Sequence, residues 1–310
     1  MKMHKTLIPL ALLLASARPV CAHNVNAGWR GSAYGPLSSD DPNYFVIADS
    51  LDKDTLNDDP HIEFYLSLGY PVHFPDSWWV LKIDRVIPVY NGLYDFYVGS
   101  SRYDSSPIIS RRQNPGLVVE WDFEARKPAD TTVRFGYFHE SNGQTLDDSA
   151  GTGAAEFNVL ETRVDEEYAL SHVSRGWDYL MTRVQYQSST NATSFRAYAE
   201  LRHHFDFQAF GNADSEEDIF WEPVPAEPGI HEYDGLRLLA EQKFKLCGID
   251  SNIRLELKTG YAGDEALQNW TYKPSFTWGI LHLFYFDGYG KEPSSYHIRN
   301  QYAGIGVEFR

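Results

Sequence analysis

The chain has 310 residues, 43% of them hydrophobic and 15% aromatic, and a formal net charge of −16 at pH 7. So acidic a balance excludes nucleic acid as the natural partner, because a phosphate backbone calls for a basic face; it suits divalent cations and a cell-surface setting. A mean hydropathy of −0.42 resembles that of a soluble protein, yet it does not exclude a membrane β-barrel, whose polar interior averages out an apolar wall.

At the N-terminus, Lys2 and Lys5 precede an apolar run from Leu7 to Ala15, and Val20-Cys21-Ala22 follows with small residues. Residues 1–22 therefore read as a secretory signal peptide. The apolar run is too short for a membrane-spanning helix. Cleavage removes Lys2, Lys5 and Arg18 and no acid, which moves the net charge from −16 to −19. Cys247 is then the one remaining cysteine, so packing and backbone pairing hold the fold without an intramolecular disulfide.

Residues 23–60 read as a polar lead-in and residues 61–310 as a single all-β domain. Period-two alternation recurs along that domain. Ile62, Phe64, Leu66 and Leu68 alternate with Glu63, Tyr65 and Ser67. Leu117, Val119, Trp121 and Phe123 alternate with Glu120 and Asp122, and Phe195, Ala197, Ala199 and Leu201 with Arg196, Tyr198, Glu200 and Arg202. Ile253, Leu255 and Leu257 oppose Arg254, Glu256 and Lys258, and the last segment carries Ala303, Ile305, Val307 and Phe309. One face is apolar and the other bears charges of both signs. A soluble sandwich also alternates. Segments of this length, with charge on the polar face, instead fit a transmembrane antiparallel β-barrel with a polar lumen. About twelve strands are expected, starting near residues 62, 77, 93, 117, 133, 177, 194, 236, 253, 272, 281 and 301. Residues 144–173 and 211–234 read as surface loops, and Trp78-Trp79 as interfacial aromatics.

The chemistry concentrates in two strands. In the first, Val133, Phe135 and Tyr137 lie on the apolar face, so the same periodicity places His139 and Ser141 there as well. An imidazole facing lipid is costly. A base beside a hydroxyl supplies a reason for it, because the imidazole can take the Ser proton as Ser attacks an ester. Rim residues that have left the hydrocarbon zone are the bland alternative. In the second strand, Arg183, Gln185 and Gln187 form the polar set, which puts Asp178 on the outward face with Leu180, Thr182 and Val184. An antiparallel pairing would bring Asp178 to the same rim, where a carboxylate orients the imidazole.

These residues also resemble a known family. His139-Glu140-Ser141-Asn142-Gly143 resembles the His-x-Ser-Asn-Gly motif of outer membrane phospholipase A, Ser174-Arg175-Gly176-Trp177-Asp178 its Ser-Arg-x-Trp-Asn segment, and Ser105-Ser106-Pro107 a third piece. The resemblance implies an exported twelve-stranded barrel of the bacterial outer membrane that hydrolyses glycerophospholipid acyl esters at either position, and lysophospholipids. It implies Ser141 as nucleophile, His139 as general base, and an oxyanion site made by the Gly143 backbone N–H and water held on calcium. It also implies a homodimer whose calcium takes the Ser174 hydroxyl, the Gln144 carbonyl and a hydroxyl from Ser106 of the partner subunit, an all-oxygen shell. The chain departs from the family in two ways. Asp178 stands where the family has Asn, and some thirty residues separate the two motifs in place of a short turn. Asp147 and Asp148 in that insertion are either further calcium ligands or solvated loop charges. A non-catalytic barrel, as pore or scaffold, and a barrel deacylase acting on lipid A are the competing readings.

Overall fold

A computed structural model describes residues 41–51, 60–73, 83–97, 108–123, 129–142, 176–190, 192–205, 235–259, 270–291 and 298–309. The signal peptide, the loop 144–173 and Trp78-Trp79 lie outside these residues.

The described residues form thirteen strands in one antiparallel sheet: β1 (Asn43–Ser50), β2 (His61–Gly69), β3 (Val72–His73), β4 (Arg85–Tyr97), β5 (Ile108–Phe123), β6 (Ala129–Ser141), β7 (Gly176–Ser189), β8 (Ser194–His204), β9 (Gly235–Leu246), β10 (Ile249–Lys258), β11 (Thr271–Trp278), β12 (Leu281–Gly288) and β13 (Asn300–Phe309). The two-residue β3 only extends the pairing of β4. The other twelve close on themselves, because β2 bridges β1 and β4 while β1 pairs with β13 from Asn43 opposite Phe309 to Ser50 opposite Tyr302. Closure leaves no open edge, the condition for strands to cross hydrocarbon. The chain is a twelve-stranded transmembrane β-barrel.

Burial runs inside out. Large apolar side chains such as Leu117, Phe135, Val184, Leu201 and Ile253 are exposed on the outer wall, while Glu63, Asp95, Glu120 and Glu200 are fully buried in the lumen. In water this would be a liability; against lipid it is the expected arrangement. Two apolar clusters occupy part of the lumen. One gathers Ile87, Val118, Phe138, Trp177, Tyr179 and Met181, with the Phe138 and Tyr179 rings stacked at 5.2 Å. The other gathers Tyr44, Val46, Ala48, Phe284, Phe286 and Tyr302. Ion pairs cross the rest. Glu120 takes Arg134 and Arg85, Glu241 takes Arg196 at 2.9 Å, and Glu200 takes Arg183 and Arg202 at 2.5 and 2.7 Å.

Two expectations need correction. The segment 23–60 is not simply a lead-in, because residues 43–50 are the first barrel strand. Its inward residues are Tyr44, Val46 and Ala48, so both faces are apolar and no charged alternation marks it. Conversely, the strand start expected near 77 lies outside the described residues, and the one expected near 93 is replaced by a longer strand, because β4 runs from Arg85 through Asn91-Gly92 to Tyr97. That dipeptide favours a turn. Here it stays extended, with Gly92 seated between the Tyr90 and Tyr94 rings.

The β1–β13 seam is tight. A Cβ at Gly306 would lie 2.0 Å from the Phe45 carbonyl oxygen, which is backbone and cannot rotate away. Gly306→Ala is therefore expected to destabilise the barrel by about 2 kcal/mol or more through overpacking, read as an earlier urea midpoint for the chain refolded in vesicles.

Candidate active site

Three outward positions converge where β6 ends and β7 begins. The β6–β7 register runs unbroken over thirteen pairs, with Tyr137 opposite Leu180, His139 opposite Asp178 and Ser141 opposite Gly176. Side chains directly opposite on one face are the closest neighbours a sheet offers. His139 Nδ1 accordingly lies 2.8 Å from Asp178 Oδ1. The Asp178 side chain is fully buried although it points away from the lumen, and the His139 side chain is 32% exposed. Tyr137, two residues before His139 on the same face, stands beside Asp178. The Phe205 amide donates to the Asp178 carbonyl oxygen at 2.9 Å, tying this point of β7 to the end of β8.

This geometry assigns the imidazole. Its Nδ1 faces a carboxylate, so the proton of the neutral ring is held on that nitrogen and the Nε2 lone pair is left to act as base. Ser141 occupies the next outward position along the strand. Opposite it stands Gly176, and a Cβ there would press to 2.9 Å from the Ser141 Cβ. A side chain at this buried position would collide with Ser141, so glycine lets the two strands meet in this register. Gly176 was legible in the sequence only as a motif member; its steric role depends on the register.

The lumen side of the same stretch is firmly held. Between His139 and Ser141, Glu140 points inward and is buried. Asn114 Nδ2 donates to Glu140 Oε2 at 3.2 Å and to the Tyr179 phenol oxygen at 3.1 Å, and Arg112 Nε lies 3.7 Å from Glu140 Oε1. Phe138, one residue before His139, packs its ring across Gly116 and Gly136, where a Cβ would come within 2.3 and 2.8 Å of it. The outward pair therefore rides on a packed inner layer, which fixes strand height and limits twist. Period-two reading places Glu140 inside; it does not reveal the Asn114 and Tyr179 contacts, which come from strands 26 and 39 residues away.

No protein-family model and no curated protein matches the chain. Solved structures do. Outer membrane phospholipase A from Escherichia coli superposes with a TM-score of 0.57 over 89% of this chain and 99% of its own, at 16% identity. The outer membrane phospholipase dimer of Salmonella typhi with bound calcium superposes with a TM-score of 0.57 over 93% of this chain and 99% of its own, at 15% identity. This chain has the fold of outer membrane phospholipase A. An active-site mutant of the Escherichia coli phospholipase matches equally, with a TM-score of 0.57 over 92% of this chain at 17% identity.

On the phospholipase fold, the structure brings His139 and Asp178 into contact and sets Ser141 on the same outward face. Gly143, Gln144, Asp147, Asp148, Ser174 and Ser106 lie outside the described residues. The described sheet stops at the Ser141–Gly176 pair, three residues before Gln144 and two after Ser174. Of the paired histidines at the end of β8, His203 is exposed, whereas His204 is buried against Tyr179 and Trp177.

Proposed function

We propose that this barrel is a serine esterase of the bacterial outer membrane, cutting acyl chains from glycerophospholipids at either position and from lysophospholipids. The observation that carries the reading is the 2.8 Å contact between His139 Nδ1 and Asp178 Oδ1 on the lipid-facing wall, with Ser141 next along the strand. A charged carboxylate and an imidazole have no structural use on an apolar face, where each costs free energy. They have a chemical one, because the substrate's ester bond lies at the membrane boundary.

His139 Nε2 accepts the Ser141 proton as Ser141 Oγ attacks the ester carbonyl. The imidazolium that forms is stabilised by the Asp178 carboxylate. As the tetrahedral adduct collapses, the C–O bond to the glycerol breaks, and His139 returns the proton to the leaving alcohol. Water, deprotonated by His139, then hydrolyses the acyl-serine and releases fatty acid. The Gly143 backbone N–H is the proposed donor to the oxyanion.

Calcium is the proposed cofactor, and the donor chemistry fits it. Ser106, Gln144 and Ser174 present only hydroxyl and carbonyl oxygens, and Asp147 and Asp148 would add carboxylates, a hard-ligand set. With Ser106 supplied by the partner subunit, such a site is complete only in a homodimer. Bound calcium would polarise water towards the oxyanion.

The deciding measurement is fatty-acid release from phospholipid in detergent micelles by the refolded full chain. Release is expected in calcium and a loss on the order of a hundredfold under chelator, as for removal of an oxyanion donor. Ion conductance across bilayers without release would instead identify a pore, and release from lipid A alone a lipid A deacylase.

Asp178 also carries a graded expectation. Asp178→Asn keeps an acceptor for Nδ1–H but loses the charge that stabilises imidazolium, so kcat should fall by about tenfold. Asp178→Ala removes both and should cost on the order of a thousandfold. Equal activity in the two variants would show that orientation of His139 does not pass through this side chain.

A further inference from the structure

The lumen is hollow where its positive charge is in excess. A cavity of about 150 Å³ lies inside the barrel wall, room for on the order of ten waters. Eight Lys or Arg side chains line it against four carboxylates, in a chain whose overall charge is −16.

Arg112 lies 3.7 Å from Glu140; the other seven cations form two groups, and they differ. Lys273 and Lys291 are matched one to one, 3.5 Å from Glu63 and 3.7 Å from Asp95. In the other group five cations share three carboxylates. Arg183 and Arg202 converge on Glu200, and Arg237 on Glu256 at 3.0 Å. Arg254 divides between Asp41 at 2.7 Å and Glu256 at 3.4 Å, and Lys258 reaches Glu256 at 3.5 Å. Arg237 also lies 3.8 Å from Asp41 and 4.0 Å from Glu200, which joins all eight groups into one network.

The donors are not exhausted either. Arg254 Nη1, Arg237 Nε and Arg112 Nε are buried and meet no hydrogen-bond acceptor among the described residues. The Arg254 side chain is 9% exposed. A buried guanidinium N–H without an acceptor is costly, and so is uncompensated buried charge. One oxyanion would relieve both, because its oxygens accept from the guanidinium fork while its charge offsets the surplus.

We propose that the lumen binds a phosphate group among Arg254, Arg237, Arg202 and Lys258. Its source is free inorganic phosphate or the monoester end of a lipid headgroup; the recognising chemistry is the same. The site faces the lumen, whereas His139, Asp178 and Ser141 face lipid, so its existence does not depend on the esterase reading.

Calorimetric titration of the full chain, refolded in a non-ionic maltoside detergent at constant ionic strength in chloride, tests this. Inorganic phosphate and sn-glycerol 3-phosphate are the probes. One saturable site with a Kd below roughly 1 mM is expected for phosphate. Binding of both probes assigns the site to phosphomonoesters, and binding of phosphate alone to the free anion. Arg254→Lys keeps the charge but loses the fork and should weaken binding roughly tenfold. Glu256→Gln removes a competing negative charge and should tighten it several-fold, roughly, a sign that general loosening of the lumen would not produce. Lys258→Gln, at a side chain 31% exposed, serves where either of those fails the heat-modifiable gel shift of a folded barrel; it too should weaken binding. Absence of a saturable site for both probes, or affinities unchanged in the folded variants, would overturn the proposal.

Discussion

Ser141→Ala is expected to lower fatty-acid release by at least about a thousandfold while the barrel still folds. The argument rests on where the side chain sits. Ser141 ends β6, pairs through its backbone with Gln113 and Gly176, and lies on the outer wall, away from the ion network of the lumen. Removing its oxygen therefore takes the attacking atom and leaves the packing of Phe138 and Glu140 in place. His139→Ala should cost as much, and the double variant little more than either alone, because nucleophile and base act in one step and their losses do not add. The measurement is initial fatty-acid release from micellar phospholipid, with folding checked by heat-dependent gel mobility. A Ser141→Ala protein with a tenth or more of the parent rate, as an order-of-magnitude bound, would exclude Ser141 as nucleophile and with it the proposed mechanism.

Glu200→Ala is expected to have the largest effect on stability, about 3–5 kcal/mol. Glu200 is fully buried, receives Arg183 Nε at 2.8 Å and Nη2 at 2.5 Å, and receives Arg202 Nε at 2.7 Å. Arg237 stands 4.0 Å away on the next strand. Truncation strands three guanidiniums in a network that already has more cations than carboxylates, and the penalty is that of uncompensated buried charge rather than of one lost contact. Leu201, the next residue along, points out and is 59% exposed; Leu201→Ala should cost far less. Urea unfolding of both variants in vesicles compares the two, and equal midpoints would mean that lumen water, rather than Glu200, compensates the arginines.

Much of this architecture is legible before any coordinates. The alternation of Leu117, Val119 and Trp121 with Glu120 and Asp122 fixes which face of β5 meets lipid, because side-chain direction in a strand is a local property with period two. The same rule turns His139, Ser141 and Asp178 outward and Glu140 inward. Where the rule is silent, the reading fails. In β1 both faces are apolar, since Tyr44, Val46 and Ala48 pack on Phe284, Phe286 and Tyr302 inside while Phe45 and Ile47 face out. A segment without contrast carries no periodic signal. In β4, Asn91-Gly92 suggests a turn that pairing on both sides, with β2 and β5, overrides.

The sequence alone thus settled that strands present apolar groups to lipid and charge to a lumen, and that a hydroxyl, an imidazole and a carboxylate lie on the outer side. Tertiary structure decided the rest. It closed the sheet by joining β1 to a strand some 250 residues later, set His139 opposite Asp178 across 39 residues of chain, faced Ser141 with Gly176, and gathered five cations on three carboxylates. The division is physical. Facing follows from backbone geometry within a strand, whereas register, closure and charge pairing depend on which distant strands meet, and shifting any strand by one residue would reverse every side chain it carries.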